Sequence, residues 1–131
     1  HLTLKLRSEW SAYEKDDSLQ TGLLLMGDVD THFFEEKLGI QMRLAWYDTD
    51  GYNARIYAYE NDMPFLFSIP AYYGKGIRTY VKINYKISRQ LTVYARYART
   101  QLQPGDTFGS GNDTLDSNIR SDVKIHLKYR F

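Results

Sequence analysis

Cysteine is absent from the 131 residues, which removes disulfides and thiolate metal sites and leaves the redox compartment open. No run of about eighteen apolar residues occurs, so no transmembrane helix is encoded. The longest candidate, Leu23 to Met26, is far too short. Charge of one sign is missing as well: the formal net charge is +1, which says nothing about partners until the charges are placed on faces. The chain opens HLTLKLRS, without Met, a basic leader region or an apolar leader region. Any export signal is therefore expected to have been removed or to lie upstream. Because His1 already opens an alternating stretch, the single segment 1–131 is expected to be incomplete at its N-terminus.

What is abundant is alternation. In IRSDVKIHLKYRF, Ile119, Ser121, Val123, Ile125, Leu127, Tyr129 and Phe131 fall on one side, and Arg120, Asp122, Lys124, His126, Lys128 and Arg130 on the other. A period of two is a strand with one apolar and one charged face, since a helix would scatter both sets around its circumference. Similar stretches recur at about 2–13, 20–30, 37–48, 53–60, 65–73, 77–87 and 90–100. Turn chemistry separates several of them: Asp48-Thr49-Asp50-Gly51, Asn61-Asp62-Met63-Pro64, Gly74-Lys75-Gly76 and Ser88-Arg89. Pro70, inside the fifth stretch, predicts a bulge or a position without a ladder donor. Aromatics make up 15% of the chain, with twelve Tyr, a composition that favours strands and interfacial belts.

The expected fold is accordingly all-β, an antiparallel transmembrane β-barrel of about eight meandering strands. Leu4, Leu25, Leu44, Ile56, Val81, Val93 and Val123 face lipid, and Phe131 closes the last strand. In that frame Trp10, Tyr13, Trp46, Tyr47, Tyr72 and Tyr73 cluster at outer strand ends. Phe33, Phe34, Tyr59, Phe65, Tyr129 and Phe131 cluster at inner ends, giving two aromatic girdles. Residues 101–117, 74–76, 48–52 and 14–19 become outside loops, and 88–89, 61–64 and 31–36 periplasmic turns.

The inward face would then hold Lys5, Arg7, Lys37, Arg43, Arg55, Arg78, Lys82, Lys86, Arg96, Lys124, Lys128 and Arg130 against Glu9, Asp28, Asp30 and Asp122. Balancing acids sit in loops, at Glu14, Asp16, Asp17, Asp48, Asp50, Asp106, Asp113 and Asp116. An eight-stranded barrel is filled by its own side chains, and an uncompensated buried charge costs several kcal/mol. These strands are therefore expected to be the C-terminal part of a wider barrel, whose remaining wall or plug supplies carboxylates or whose lumen is wet.

The run YENDMPFLFSIPAYYGKGIRTYVKINYKISRQLTVYARYARTQ, followed by FGSGNDTL and RSDVKIHLKYRF, resembles the C-terminal region of large Bacteroidota outer-membrane barrel proteins. These are often labelled by a helix-hairpin-helix segment nearer the N-terminus. The likeness covers about residues 53–131, with the first fifty similar only in texture. It implies a longer outer-membrane protein of a Gram-negative bacterium. No helix-hairpin-helix occurs here, so no nucleic-acid partner is expected. The activity of that family supplies no site residues to carry over.

Chemical motifs are weak beside their ordinary readings. His126, Asp122 and Ser121 are triad residue types, but Ser121 faces away from the other two. Asp28, Asp30, His32, Glu35 and Glu36 are oxygen-rich enough for calcium and read better as a solvated turn. Asp48-Thr49-Asp50-Gly51 lacks the downstream Glu of a calcium loop, and Gly109-Ser110-Gly111-Asn112-Asp113 precedes a strand, not a phosphate-binding helix. No catalytic residue, metal or cofactor is expected.

The expected function is a non-enzymatic outer-membrane barrel segment serving as pore, transporter wall or scaffold of an outer-membrane complex. Its basic lumen is lined by Arg43, Arg55, Arg78, Lys82, Lys86, Arg96, Lys124, Lys128 and Arg130. Val123, Ile125, Leu127, Tyr129 and Phe131 form a C-terminal signal for the barrel assembly machinery. Expected partners are outer-membrane lipid, that machinery, and further strands, a plug or partner subunits. A barrel enzyme acting on lipid or peptide, and a soluble lipocalin-like barrel, are the alternatives.

Overall fold

A computed structural model of the chain describes residues 1–66, 68–104 and 118–131. Six long strands form one antiparallel sheet: β1 (Leu2–Lys15), β2 (Ser18–Phe33), β3 (Leu38–Thr49), β6 (Lys75–Lys86), β7 (Leu91–Leu102) and β8 (Ile119–Tyr129), in the order β1-β2-β3-β6-β7-β8. Each follows an alternating stretch of sequence, because period-two side chains let a strand separate an apolar face from a polar one. The β1–β2 turn is two residues long. Asp16 and Asp17 both adopt positive φ, the conformation that matches a hairpin turn to the twist of its strands.

The register carries the two faces unbroken across the sheet. Leu6 pairs with Gly27, Gly27 with Leu44 and Leu44 with Thr79, while Asp28 pairs with Arg43 and Arg43 with Tyr80. Leu2, Leu4, Leu6, Leu25, Met42, Leu44, Ile77, Val123, Ile125 and Leu127 therefore share an outward face, as the alternation predicts.

Two of the expected strands do not join this sheet. β3 pairs directly with β6, and residues 50–74 between them fold over the polar face instead of extending it. Within this insert a 3-10 turn (Tyr52–Ala54) precedes a two-stranded ribbon of β4 (Ile56–Tyr57) and β5 (Ala71–Tyr72), extended by a single bridge between Glu60 and Ser68. Asp48-Thr49-Asp50-Gly51 is thus not a hairpin. Asp48 and Thr49 finish β3, and Asp50 is tied back to β2 by the Thr21 backbone N–H, 2.7 Å from its Oδ2. Likewise Lys75 and Gly76 open β6, and Asn61 to Pro64 lie against the sheet face.

The expected transmembrane barrel is not formed. Among the described residues the sheet has six strands, with β1 and β8 as separate edges, and no closure is seen. Pro64 and Pro70 give a physical reason for the missing strands: a proline has no N–H for a central ladder, and one stands just before the segment expected to be strand five and the other inside it. Phe67 of that segment and the Gly109–Asp113 loop lie outside the described residues.

The core sits on the side opposite to the expected apolar face. Leu24, Met26, Ala45, Tyr47 and Leu102 of the sheet pack with Ile56, Ala58 and Tyr72 of the insert. Complete burial of a residue such as Leu24 contributes about 1.5–3 kcal/mol. Tyr47 and Tyr72, assigned from sequence to an outer girdle, meet edge to face here with ring centroids 5.2 Å apart.

Candidate functional site

Two surfaces carry the chemistry of the molecule. The first is the seam between the insert and the polar face of the sheet, where Arg43, Arg78, Arg96 and Lys124 find their counter-charges. Glu60 is completely buried. Arg78 donates to both of its oxygens, from Nε and from Nη2 (2.8 Å), while Arg96 Nη2 (2.5 Å) and the Tyr72 hydroxyl (2.8 Å) complete the shell. Each arginine has a second anchor: Arg78 Nη1 donates to Thr100 Oγ1 at 2.7 Å, and Arg96 Nε to the Asn61 carbonyl at 3.0 Å.

Further pairs extend the seam on both sides. Arg43 forks onto Asp28, with Nε–Oδ1 2.5 Å and Nη2–Oδ2 2.7 Å, and also donates to the Tyr59 carbonyl. Lys124 donates to Asp62 at 2.8 Å. The buried Tyr80 ring lies between two guanidiniums, with Arg43 5.5 Å and Arg96 5.0 Å from its centroid, a stacking that uses the negative face of the ring.

Burial alone raises the Glu60 carboxyl, yet the Arg78 hydrogen bonds and charge, joined by Tyr72 and Arg96, hold it below the ordinary glutamate value. Asp62 is held below its ordinary value in the same way, with burial opposed by Lys124, the Met63 N–H and Arg96. Burial and the adjacent Glu60 charge push the Tyr72 phenol upward. Both carboxylates therefore stay ionised at neutral pH. The expectation that missing carboxylates lie in another part of a wider barrel is corrected: Glu60 and Asp62, within this chain, supply them.

The other residues singled out from sequence fall as follows. Lys82 and Lys86 lie on the insert-covered face, with Lys82 6.0 Å from the Tyr94 ring centroid. Lys128 sits 5.6 Å from the Phe65 ring centroid. Arg55 belongs to the insert, over the Tyr52 ring at 4.3 Å, and Arg130 follows β8. Asp30 accepts from Gln41 at 2.9 Å, and His126 meets Tyr94 edge-on. Among the described residues the sheet is open and encloses no lumen, so the expectations of a barrel serving as pore, transporter wall or scaffold, of a barrel enzyme and of a lipocalin-like barrel are all overturned by the topology.

The second surface is the outward face. Leu6 is 80% exposed, Trp10 78%, Ile125 72% and Val123 67%, and Leu2, Leu4, Met42, Leu44, Trp46, Ile77, Ile83, Leu127 and Tyr129 are exposed beside them. Single exposed leucines are ordinary, whereas a contiguous face of this extent marks an interaction or membrane surface. Charges on this face are confined to one end. Glu14, Asp48, Lys75 and Arg99 each lie within three residues of the strand terminus nearest the insert. Val123, Ile125, Leu127 and Tyr129 occupy the edge strand of the same face, and Phe131 is fully exposed beyond it.

Sequence reasoning missed Glu60 and Asp62 because it placed them at the end of a sheet strand and in a turn. The signal available was the pair of prolines that follows them, Pro64 and Pro70, which disfavours central strands. Neither a protein-family model, a curated protein nor a solved structure matches the chain. Together with the open topology, this withdraws the resemblance to Bacteroidota barrel proteins.

Proposed function

We propose that the chain acts by contact, laying its outward face against the hydrocarbon of a lipid layer while its own insert seals the polar face. One observation carries this: from Leu2 to Trp10, Leu23 to Phe33, Leu38 to Trp46, Ile77 to Tyr85, Leu91 to Tyr97 and Val123 to Tyr129, every outward position is uncharged. Water does not favour such a surface, and hydrocarbon does.

The lipid belongs, in this proposal, to the outer membrane of a Gram-negative bacterium, where proteins meet lipid through strands. Contact with hydrocarbon requires every backbone N–H and C=O to be paired, so partner subunits lie along β1 and β8. The role is not catalytic: Glu60, Asp62, Arg78, Arg96 and Lys124 are engaged in ion pairs that fix the insert, and Arg43 holds it through the Tyr59 carbonyl.

Flotation of the full chain with phosphatidylethanolamine and phosphatidylglycerol vesicles tests the proposal. The chain is expected in the vesicle fraction and, without lipid or detergent, in aggregates. A monodisperse, water-soluble monomer that ignores the vesicles refutes it.

A further inference from the structure

We infer that a hollow around Gly27 on the outward face seats a lipid acyl chain; this rests on the lipid contact proposed above and adds a defined site to it. Glycine inside a strand weakens it, and it persists where a bulge, a special φ or a close approach demands it. Three strand glycines have an internal reason. A Cβ on Gly22 would lie 2.6 Å from the Ala54 carbonyl oxygen, one on Gly76 would lie 2.6 Å from the Gln101 carbonyl oxygen, and one on Gly39 would strike the Asn84 side chain. All three point toward the insert-covered face, by alternation from the register.

Gly27 is different. It points outward, and a Cβ there would meet nothing nearer than Leu6 Cδ2 at 3.4 Å, an ordinary contact. The ladder through Leu6, Gly27 and Leu44 runs without a bulge, and positive φ among the described glycines is found at Gly74. Neither packing nor backbone geometry explains the missing side chain, which leaves close approach by something outside the sheet.

The space it opens is about 550 Å³, walled by Leu6, Ser8, Leu25, Leu44 and Trp46, a size ordinary for small-ligand sites. Arg7 and Met26 border it only from the backbone, since alternation sends their side chains to the other face. The hollow covers two successive rungs across three strands, Ser8–Leu25–Trp46 and Leu6–Gly27–Leu44, and apart from the Ser8 hydroxyl its outward side chains are apolar.

Its upper end meets the Trp46 indole, a group suited to an apolar body with a polar tip. Beyond it is the charged rim, where Lys75 lies 3.8 Å from Asp48. Apolar trough below and charged rim above match an amphiphile lying along the strands, with its chain over Gly27 and its headgroup at Asp48 and Lys75.

Trp10 and Trp46 are the two tryptophans, and only Trp46 borders the hollow, so quenching by phosphatidylcholine brominated along its acyl chain reads the site. The full chain in such vesicles is compared as Trp10→Phe, leaving Trp46 to report, and as Trp46→Phe, leaving Trp10. Gly27→Leu, which raises a branched side chain from the floor of the hollow beside Leu6 and Leu44, is expected to cut Trp46 quenching by about half or more, since close contact is lost within ångströms. Trp10 quenching stays unchanged. Gly27→Val is the second variant, with near-ultraviolet circular dichroism of the Tyr47–Tyr72 pair reporting the fold.

Equal Trp46 quenching with and without the filling side chain overturns the acyl-chain site while leaving lipid contact of the face intact. No quenching of either tryptophan overturns both.

Discussion

Replacing Glu60 with Ala is the sharpest perturbation of the seam. Glu60 has no solvent exposure, and its partner Arg96 has a side chain only 1% exposed, so neither can recruit water in compensation. Removal leaves Arg96 with the Asn61 carbonyl and with Asp122 at 3.6 Å, and leaves Arg78 with Thr100 alone. Breaking a buried pair by deleting one partner costs about 3–5 kcal/mol, mostly because the surviving charge stays buried. The larger part of that range is expected here, since two arginines and the Tyr72 hydroxyl lose the same acceptor.

Urea unfolding of the chain in detergent, followed by the near-ultraviolet signal of Tyr47 and Tyr72, measures the loss. A triple replacement by apolar residues, Glu60→Met with Arg78→Met and Arg96→Leu, removes the charges together and is expected to restore most of the stability. A double-mutant cycle between Glu60→Ala and Arg96→Ala is expected to be strongly non-additive. A Glu60→Ala cost below about 1 kcal/mol, or an additive cycle, refutes the view that this carboxylate locks the insert.

Acid should release the insert. Glu60 and Asp62 have folded values below their ordinary 4.5 and 3.8, so their stabilisation is fully present above those ordinary values and disappears as pH falls through the depressed ones. Hydrogen exchange of residues 55–72 is expected to rise only below about pH 4; release above pH 5 contradicts the assignment. Gly22→Ala places a Cβ 2.6 Å from the Ala54 carbonyl oxygen and is expected to destabilise by about 1–3 kcal/mol. Gly27→Ala, with its nearest neighbour at 3.4 Å, is expected to be near neutral; equal losses in urea unfolding contradict the packing described. Met42→Arg, mid-strand on the outward face and 40% exposed, is expected to weaken vesicle association by about 2–4 kcal/mol, and an unchanged flotation profile counts against hydrocarbon contact.

The six long strands and both of their faces were legible in the sequence because alternation is local. Leu4, Leu6 and Trp10, or Val123, Ile125 and Leu127, declare a face without reference to any other part of the chain. The presence of a basic face was legible for the same reason.

Its partners were not. Whether residues 53–60 and 65–73 extend the sheet or fold over it depends on which strand β3 pairs with, a non-local choice that short alternating runs leave open. The prolines at 64 and 70 bear on that choice only once the ladder is known. Gly27 and Gly22 likewise look alike in sequence, and only the register separates a glycine required by the Ala54 carbonyl from one facing open space.

By itself, then, the sequence determined strand content, the side each residue takes and the concentration of cations on one face, since all three follow from a period of two. Tertiary structure alone decided that the sheet stays open among the described residues, that residues 50–74 cover it, and that Glu60 and Asp62 answer Arg78, Arg96 and Lys124. Those outcomes rest on the pairing of distant backbone groups and on the high cost of leaving a buried cation without its anion.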